Sequence, residues 1–244
     1  MKAINYILFF VSICISVACN QKTKSIPDKL IVLTFDDACS SHYSFVAPLL
    51  KQYGFGATFF VCEFPPNFAD SSLYMNWRQM KELDNMGFEI ANHTHSHPSL
   101  PKLTEDEIAK QLSYIENKFD SLKISRSSGF SYPGSVYNDT VLKVLNGKGY
   151  RLARIGGNKT YDPAKDSPML IPSWIVTEES ISQIIEALKE AKDGKIVVLT
   201  VHGVPDVEHP WVNTSPESFR KLAKYLYDNH YKVVAFNALD KYSK

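Results

Sequence analysis

Several features are scarce in this 244-residue chain. Net charge is one: 27 Lys and Arg stand against 26 Asp and Glu, which gives no sign of the basic footprint of a nucleic-acid binder, so no nucleic-acid partner is expected. Cysteine is another. Four residues, one inside the N-terminal apolar run, are too few for a disulfide scaffold, so stability must come from an apolar core. Long apolar runs are limited to the N-terminus, and neither repeats nor low-complexity tracts are present. No Gly-rich phosphate loop follows the first strand-like segment, which removes support for nucleotide-binding folds. With 44% hydrophobic and 22% charged residues, the composition excludes wholesale disorder, collagen and coiled coil.

The N-terminal run is informative. Lys2 precedes an uncharged, mostly apolar stretch over 4–17, too short for a comfortable membrane span. Small residues at Ser16 and Ala18 then precede Cys19. This pattern predicts a secretory leader over 1–18 and an exported protein of the bacterial cell envelope, periplasm or medium. A cysteine directly after the cut resembles a lipobox, so Cys19 is a candidate lipid anchor and the only expected membrane contact. Ser16 replaces the usual leucine of that motif. The alternative is a buried N-terminal helix, against which the run lacks a cap and ends in polar residues. Residues 19–28 read as a tether and 29–244 as one domain. Cys39 and Cys62 remain as a pair that export permits, but does not require, to be disulfide-linked.

Apolar, β-branched runs then alternate with amphipathic stretches. Strands are expected at 30–35, 57–61, 88–92, 128–132, 150–155, 170–176, 195–201 and 231–236, and helices at 43–53, 77–86, 104–121, 138–147, 179–192 and 216–229. Thr104-Glu105-Asp106-Glu107 reads as a capping box. This alternation predicts an α/β fold with a parallel sheet. Polar residues fall just after several different strands, as they do at the C-terminal face of a β/α barrel, which favours a barrel over a doubly wound sheet.

Three segments carry chemistry. Asp36-Asp37 follows the first strand, and two adjacent carboxylates raise each other's pKa unless a metal or an arginine compensates. A solvated, capping turn is the plain alternative. His93-Thr94-His95-Ser96-His97-Pro98 follows the third strand. Its outer histidines, four apart, can face one ion from one side of a helical turn, with His95 pointing elsewhere. Asp plus two His leaves coordination positions open for water, the mark of a catalytic site. His202 follows the most apolar strand in the chain and is either a core residue or part of the same barrel face.

Thr34-Phe35-Asp36-Asp37-Ala38, His93-Thr94-x-x-His97-Pro98 and Leu199-x-x-His202, in this order, resemble the motifs of the polysaccharide deacetylases, also called carbohydrate esterase family 4. The resemblance spans residues 30 to 240. It implies a distorted (β/α)7 barrel and a bound divalent metal, usually Zn2+. It also implies hydrolysis of N- or O-acetyl groups on a glycan. By position, it makes Asp36 the general base and Asp37, His93 and His97 the metal ligands. His202 becomes the general acid. Phe130-Ser131-Tyr132-Pro133-Gly134 takes the place of the third motif, which makes its backbone, at Tyr132 and Gly134, either an oxyanion site or simply a turn.

Two departures stand out. Ser131 occupies the place of the family's base-orienting arginine, and the fourth motif is not visible. Arg154 lies in the next strand, where an inward arginine is costly unless paired. It either substitutes for the missing guanidinium or is an ordinary surface arginine. Trp211 is a candidate sugar-stacking residue, while Trp174 reads as core. The eroded motifs leave a second reading, a catalytically inactive carbohydrate-binding relative. A two-carboxylate glycosidase is a third, disfavoured because Asp36 and Asp37 are adjacent.

Overall fold

The computed structural model describes residues 25–242 apart from Pro65. The leader expected over 1–18, the lipid site at Cys19 and the tether up to residue 24 lie outside the described residues. Eight parallel strands, β1 (Leu30–Phe35), β2 (Thr58–Val61), β3 (Glu89–Asn92), β4 (Gly129–Ser131), β5 (Leu152–Gly157), β6 (Ile171–Ile175), β7 (Val197–Val201) and β8 (Lys232–Val234), run in the order β2-β3-β4-β5-β6-β7-β1-β8. A further pairing of β1 with β2 closes the first seven into a barrel. Around it lie α1 (Ala47–Tyr53), α2 (Trp77–Asn85), α3 (Glu105–Leu122), α4 (Asp139–Gly147), α5 (Ile181–Leu188) and α6 (Pro216–Asp228). The chain is a single-domain, distorted (β/α)7 barrel. Among the described residues no helix separates β5 from β6, and none is long and apolar enough to cross a membrane.

The distortion has a local cause. β1 pairs with β7 from Ile31 to Phe35 but meets β2 only at Thr34 and Phe35. The lower part of that edge is taken by β8, at Leu30, Ile31 and Val32. Gly56 makes room for this arrangement, since a Cβ there would sit 3.0 Å from the Ala235 nitrogen.

Side chains alternate between two faces along each strand, and this alternation builds the site. Leu30 and Val32 join an inner cluster with Phe60, Ala91, Leu152, Ile171 and Val198. Ile31, Leu33 and Phe35 pack outward in the cluster beneath the helices. Phe236 plugs the barrel through an edge contact with Phe60, ring centroids 5.5 Å apart. One layer above the inner apolar residues, two positions on, come Thr34, Ser131, Arg154, Ser173 and Thr200, all buried. Beyond them come Asp36 and His202, two residues past Thr34 and Thr200, while His93 lies two past Ala91 at the end of β3. The barrel therefore turns from apolar to ionisable along its own axis.

Helix starts follow their caps. The expected Thr104–Glu107 capping box opens α3, and an unanticipated one, Asn76 with Gln79, opens α2. The helix expected at 43–53 instead opens with a π-turn over His42–Val46. There the buried His42 places Nε2 2.9 Å from the carbonyl of His202, so tertiary contact overrides regular helix geometry. Beneath the site, Phe59 stacks on Phe35 (5.0 Å) and meets Phe88 edge-on (5.5 Å). Phe59→Ala is expected to cost about 3–5 kcal/mol in chemical denaturation, the range for a buried phenylalanine cavity.

Candidate active site

Asp36 is 5% exposed, and its carboxylate is held by Arg154. One guanidinium nitrogen, Nη2, donates to Oδ1 at 2.6 Å, to Oδ2 at 2.5 Å and to the Ser131 hydroxyl at 2.5 Å. The other, Nη1, donates to Thr200 Oγ1 at 2.6 Å and lies 3.3 Å from Ser173 Oγ. The arginine therefore divides its fork: one tine holds the carboxylate, and the other anchors the guanidinium to hydroxyls of β6 and β7. Its buried Nε finds no hydrogen-bond partner, and the Phe60 ring lies 5.4 Å from Cζ. Burial raises the pKa of Asp36, but Arg154, then His93 and His202, outweigh it, and the carboxyl sits below its ordinary value. Ser131 and Arg154 are direct register partners on neighbouring strands. Arg154 thus reaches Asp36 from the strand next to Ser131, at the same register level.

Asp37, His93 and His97 converge, with candidate ligand atoms all within 4.8 Å of one another. His93 Nε2 and His97 Nε2 lie 3.4 and 3.6 Å from Asp37 Oδ1. His93 Nδ1 donates to the Ser131 carbonyl at 2.7 Å, which fixes the tautomer and leaves Nε2 free for a metal. One carboxylate and two imidazoles in this arrangement fit a first-row divalent cation. The convergence is not a helical turn. Asp37, Thr94 and His97 adopt positive φ of 70°, 70° and 51°, a strain of about 1–2 kcal/mol per residue held by surrounding contacts. His97 N–H donates to Thr94 Oγ1 (3.1 Å), and Thr94 N–H donates to Asn92 Oδ1 (2.8 Å). Asn92 is fixed in turn by Tyr150 OH at 2.7 Å. Burial and His93 together push His97 down to about 4. Burial also lowers His93, but Asp36 and Asp37 more than offset it, leaving that pKa raised. His95 turns away, stacked on Tyr114 at 3.6 Å.

His202 Nε2 lies 3.9 Å from Asp37 Oδ2, on the same face. Cys39 and Cys62 are free and buried. Each thiol turns to a carboxylate instead of to the other: Cys39 Sγ is 3.6 Å from Asp206 Oδ2, and Cys62 Sγ is 3.9 Å from Asp37 Oδ1. Burial, then those carboxylates, pushes both thiols well above their ordinary pKa.

These groups open onto a cleft of about 290 Å³, lined also by Tyr132, Gly134, Phe64, His209 and Trp211. Trp211 is 72% exposed. The Tyr132 hydroxyl donates to the Met169 carbonyl at 3.0 Å, and its amide donates to the Arg154 carbonyl at 3.2 Å. The Tyr132 amide is therefore spent inside the sheet. Pro133 has no N–H, which leaves Gly134 as the segment's cleft-side amide.

Comparison with known proteins decides the family. The sequence profile of the polysaccharide deacetylases matches residues 23–153. The chain belongs to the polysaccharide deacetylase family. It is 30% identical over 125 residues to the putative polysaccharide deacetylase YxkH of Bacillus subtilis, covering 51% of this chain and 44% of that one. It is 28% identical over 180 residues to a bifunctional xylanase/deacetylase of Pseudobutyrivibrio xylanivorans, covering 74% and 26%. The chain thus spans less than half the length of these two relatives. A solved structure, a CE4 family pseudoenzyme from Bacillus anthracis, shares the fold with TM-score 0.62 and 17% identity, covering 90% of this chain and 68% of that one.

Within this deacetylase-family barrel, reasoning from sequence missed Asp206, His209, Phe64 and the hydroxyl pair Ser173 and Thr200. The hydroxyls were legible as polar positions two residues beyond inward apolar ones. Asp206 and His209 carried only the weak signal of a second histidine close after His202. The geometry predicts a clean separation between neighbouring histidines. His97→Ala should remove most bound metal, as read by elemental analysis, and His95→Ala should leave it nearly unchanged. Metal occupancy should weaken as pH falls through the raised pKa of His93, because the proton competes for that imidazole.

Proposed function

We propose that this protein is a metal-dependent carbohydrate deacetylase, an exported hydrolase that removes N- or O-acetyl groups from a glycan of the cell envelope or the surroundings. Asp37, His93 and His97 are its ligands for one divalent ion, Zn2+ by donor type. That ion, when bound, supplies Lewis acidity toward the acetyl carbonyl and acidity to water. Asp36 is the general base that takes the proton from the attacking water. It stays ionised because Arg154 holds it, and the arginine's contacts to both of its oxygens compete with capture by the metal. His202 donates a proton to the departing amine or alkoxide, which an amine needs more. The Gly134 amide is the candidate partner for the developing oxyanion. Trp211 offers its exposed face to a sugar ring.

The observation that carries this reading is the Asp36–Arg154 pair: a buried carboxylate beside the ligand set, held by an arginine from the strand next to Ser131. A catalytically inactive, carbohydrate-binding relative is the second reading, favoured by Ser131 and the absent fourth motif. The two differ in acetate release from acetylated chitooligosaccharides, peptidoglycan and acetylxylan. A deacetylase releases acetate from at least one, loses activity to a chelator and regains it with metal. An inactive relative releases none. Cys19 is proposed as a lipid anchor that would keep the enzyme at the envelope.

Arg154 yields the sharpest variant. Arg154→Lys should keep its metal but lose ~10-fold or more in rate, because one ammonium cannot hold Asp36 and the Thr200–Ser173 anchor together. Arg154→Ala should lose more. Burial then acts on Asp36 unopposed by the guanidinium, its pKa rises, and the acidic limb of the pH–rate profile moves to higher pH. A variant with full rate and the same limb would make Arg154 merely structural.

A further inference from the structure

One carboxylate–imidazole pair at the edge of the cleft, His209 lining it and Asp206 behind, has no part in the proposed chemistry. After His202 the chain turns back on itself, and Asp206, 5% exposed, closes the turn. Asp206 Oδ2 accepts from the Gly203 amide at 3.1 Å, and Oδ1 accepts from the His209 amide at 2.8 Å. Gly203 is required there: a Cβ would lie 2.6 Å from both Asp206 Cα and the Pro205 carbonyl oxygen. The His209 ring turns toward the same carboxylate, Nδ1 standing 3.3 Å from Oδ1, close but not in hydrogen-bond alignment. With Nδ1 on Asp206, Nε2 is the ring's free end, and the ring lines the cleft.

The position of His209 fits substrate recognition rather than metal binding. Phe64 stands between it and the ligand set, with ring centroids 5.4 Å from His209 and 4.8 Å from His97. His209 is therefore one aromatic ring outward from the metal site, where the sugar bearing the acetyl group or its neighbour would lie. On its outer side, Trp211 meets it edge-on at 5.4 Å. An exposed indole beside an oriented imidazole offers the two contacts a pyranose presents: an apolar ring face and hydroxyl or acetamido groups at its edge.

We propose that Asp206, His209 and Trp211 form an outer subsite for a neutral sugar ring. Trp211 stacks on the ring, His209 Nε2 hydrogen-bonds its edge, and Asp206 is the positioning residue that sets the imidazole. This subsite rests on the deacetylase reading for its substrate class. It adds a recognition element built from the loop after β7.

The test uses the metal-loaded full chain with two substrates, N-acetylchitotetraose and 4-nitrophenyl acetate, which has no sugar. His209→Ala and Trp211→Ala should each raise KM for the tetrasaccharide about 10-fold, the scale of one or two lost uncharged contacts, with a smaller change in kcat. Their loss on the tetrasaccharide should exceed that on the aryl acetate by a similar factor. Asp206→Asn should act in the same direction, and His209→Gln, which keeps a hydrogen-bonding group at the end of the side chain, should recover part of the KM. Equal losses on both substrates, or an unchanged tetrasaccharide KM, would overturn the subsite. Calorimetric binding of the tetrasaccharide separates this from failure of the deacetylase reading. If the wild type binds it without releasing acetate and His209→Ala binds ~10-fold more weakly, the subsite stands and deacetylation of this glycan falls. If the wild type and His209→Ala bind alike, or the wild type does not bind, the subsite falls.

Discussion

Two carboxylates, side by side and both buried, end the first strand. Asp36 and Asp37 are 5% and 4% exposed, and neither is stable there as an uncompensated charge. The site is arranged to resolve that repulsion in two ways. Asp36 is compensated from inside the barrel by Arg154, whose other nitrogen is tied to Thr200. Asp37 is compensated from the rim by the His93–His97 pair and by the cation those three groups fit. This division gives adjacent residues different surroundings: one carboxylate is paired with a guanidinium, the other faces two imidazoles that with it could hold a metal.

The division follows from strand geometry. Asp36 continues the inward series of Leu30, Val32 and Thr34, so it points down the barrel, where a partner must come from another strand. Asp37 takes positive φ and leaves the strand, so its carboxylate meets the rim loops instead. Arg154 reaches Asp36 because it is inward on β5, level with Ser131 on β4. The hydroxyls of Ser173 on β6 and Thr200 on β7, 2.7 Å apart, extend the polar layer that separates the apolar floor from the ionisable mouth. The same layering puts Phe35 and Phe59 on the outer face, so the site's rigidity derives from packing the cleft never touches.

Much of this was legible because it depends on periodicity. Strand ends locate Asp36, His93 and His202, and the cost of an inward arginine singled out Arg154. What the sequence concealed depends on how the chain returns on itself. The His93–His97 approach is made by left-handed residues and a threonine hydroxyl, which a spacing of four does not distinguish from a helical turn. The amide of Tyr132 is consumed by a register partner visible only once β4 and β5 are aligned. Asp206 and His209 acquire meaning when the loop after β7 folds back over Gly203. The seam between β1, β2 and β8 likewise reflects competition for one strand edge, which no local pattern encodes.

The proposed role of Arg154 is to do from β5 what the family's arginine does from the position held here by Ser131. Because positions 131 and 154 are register partners, the guanidinium can be moved back without altering the level at which it acts. The measurement is the pH–rate profile for acetate release by the double variant Ser131→Arg/Arg154→Ala, set beside Arg154→Ala alone. Recovery of rate in the double variant, with the acidic limb returning to lower pH, is the predicted result. A double variant no faster than Arg154→Ala, with its limb unmoved, would contradict the claim that a guanidinium from either strand is what keeps Asp36 a base.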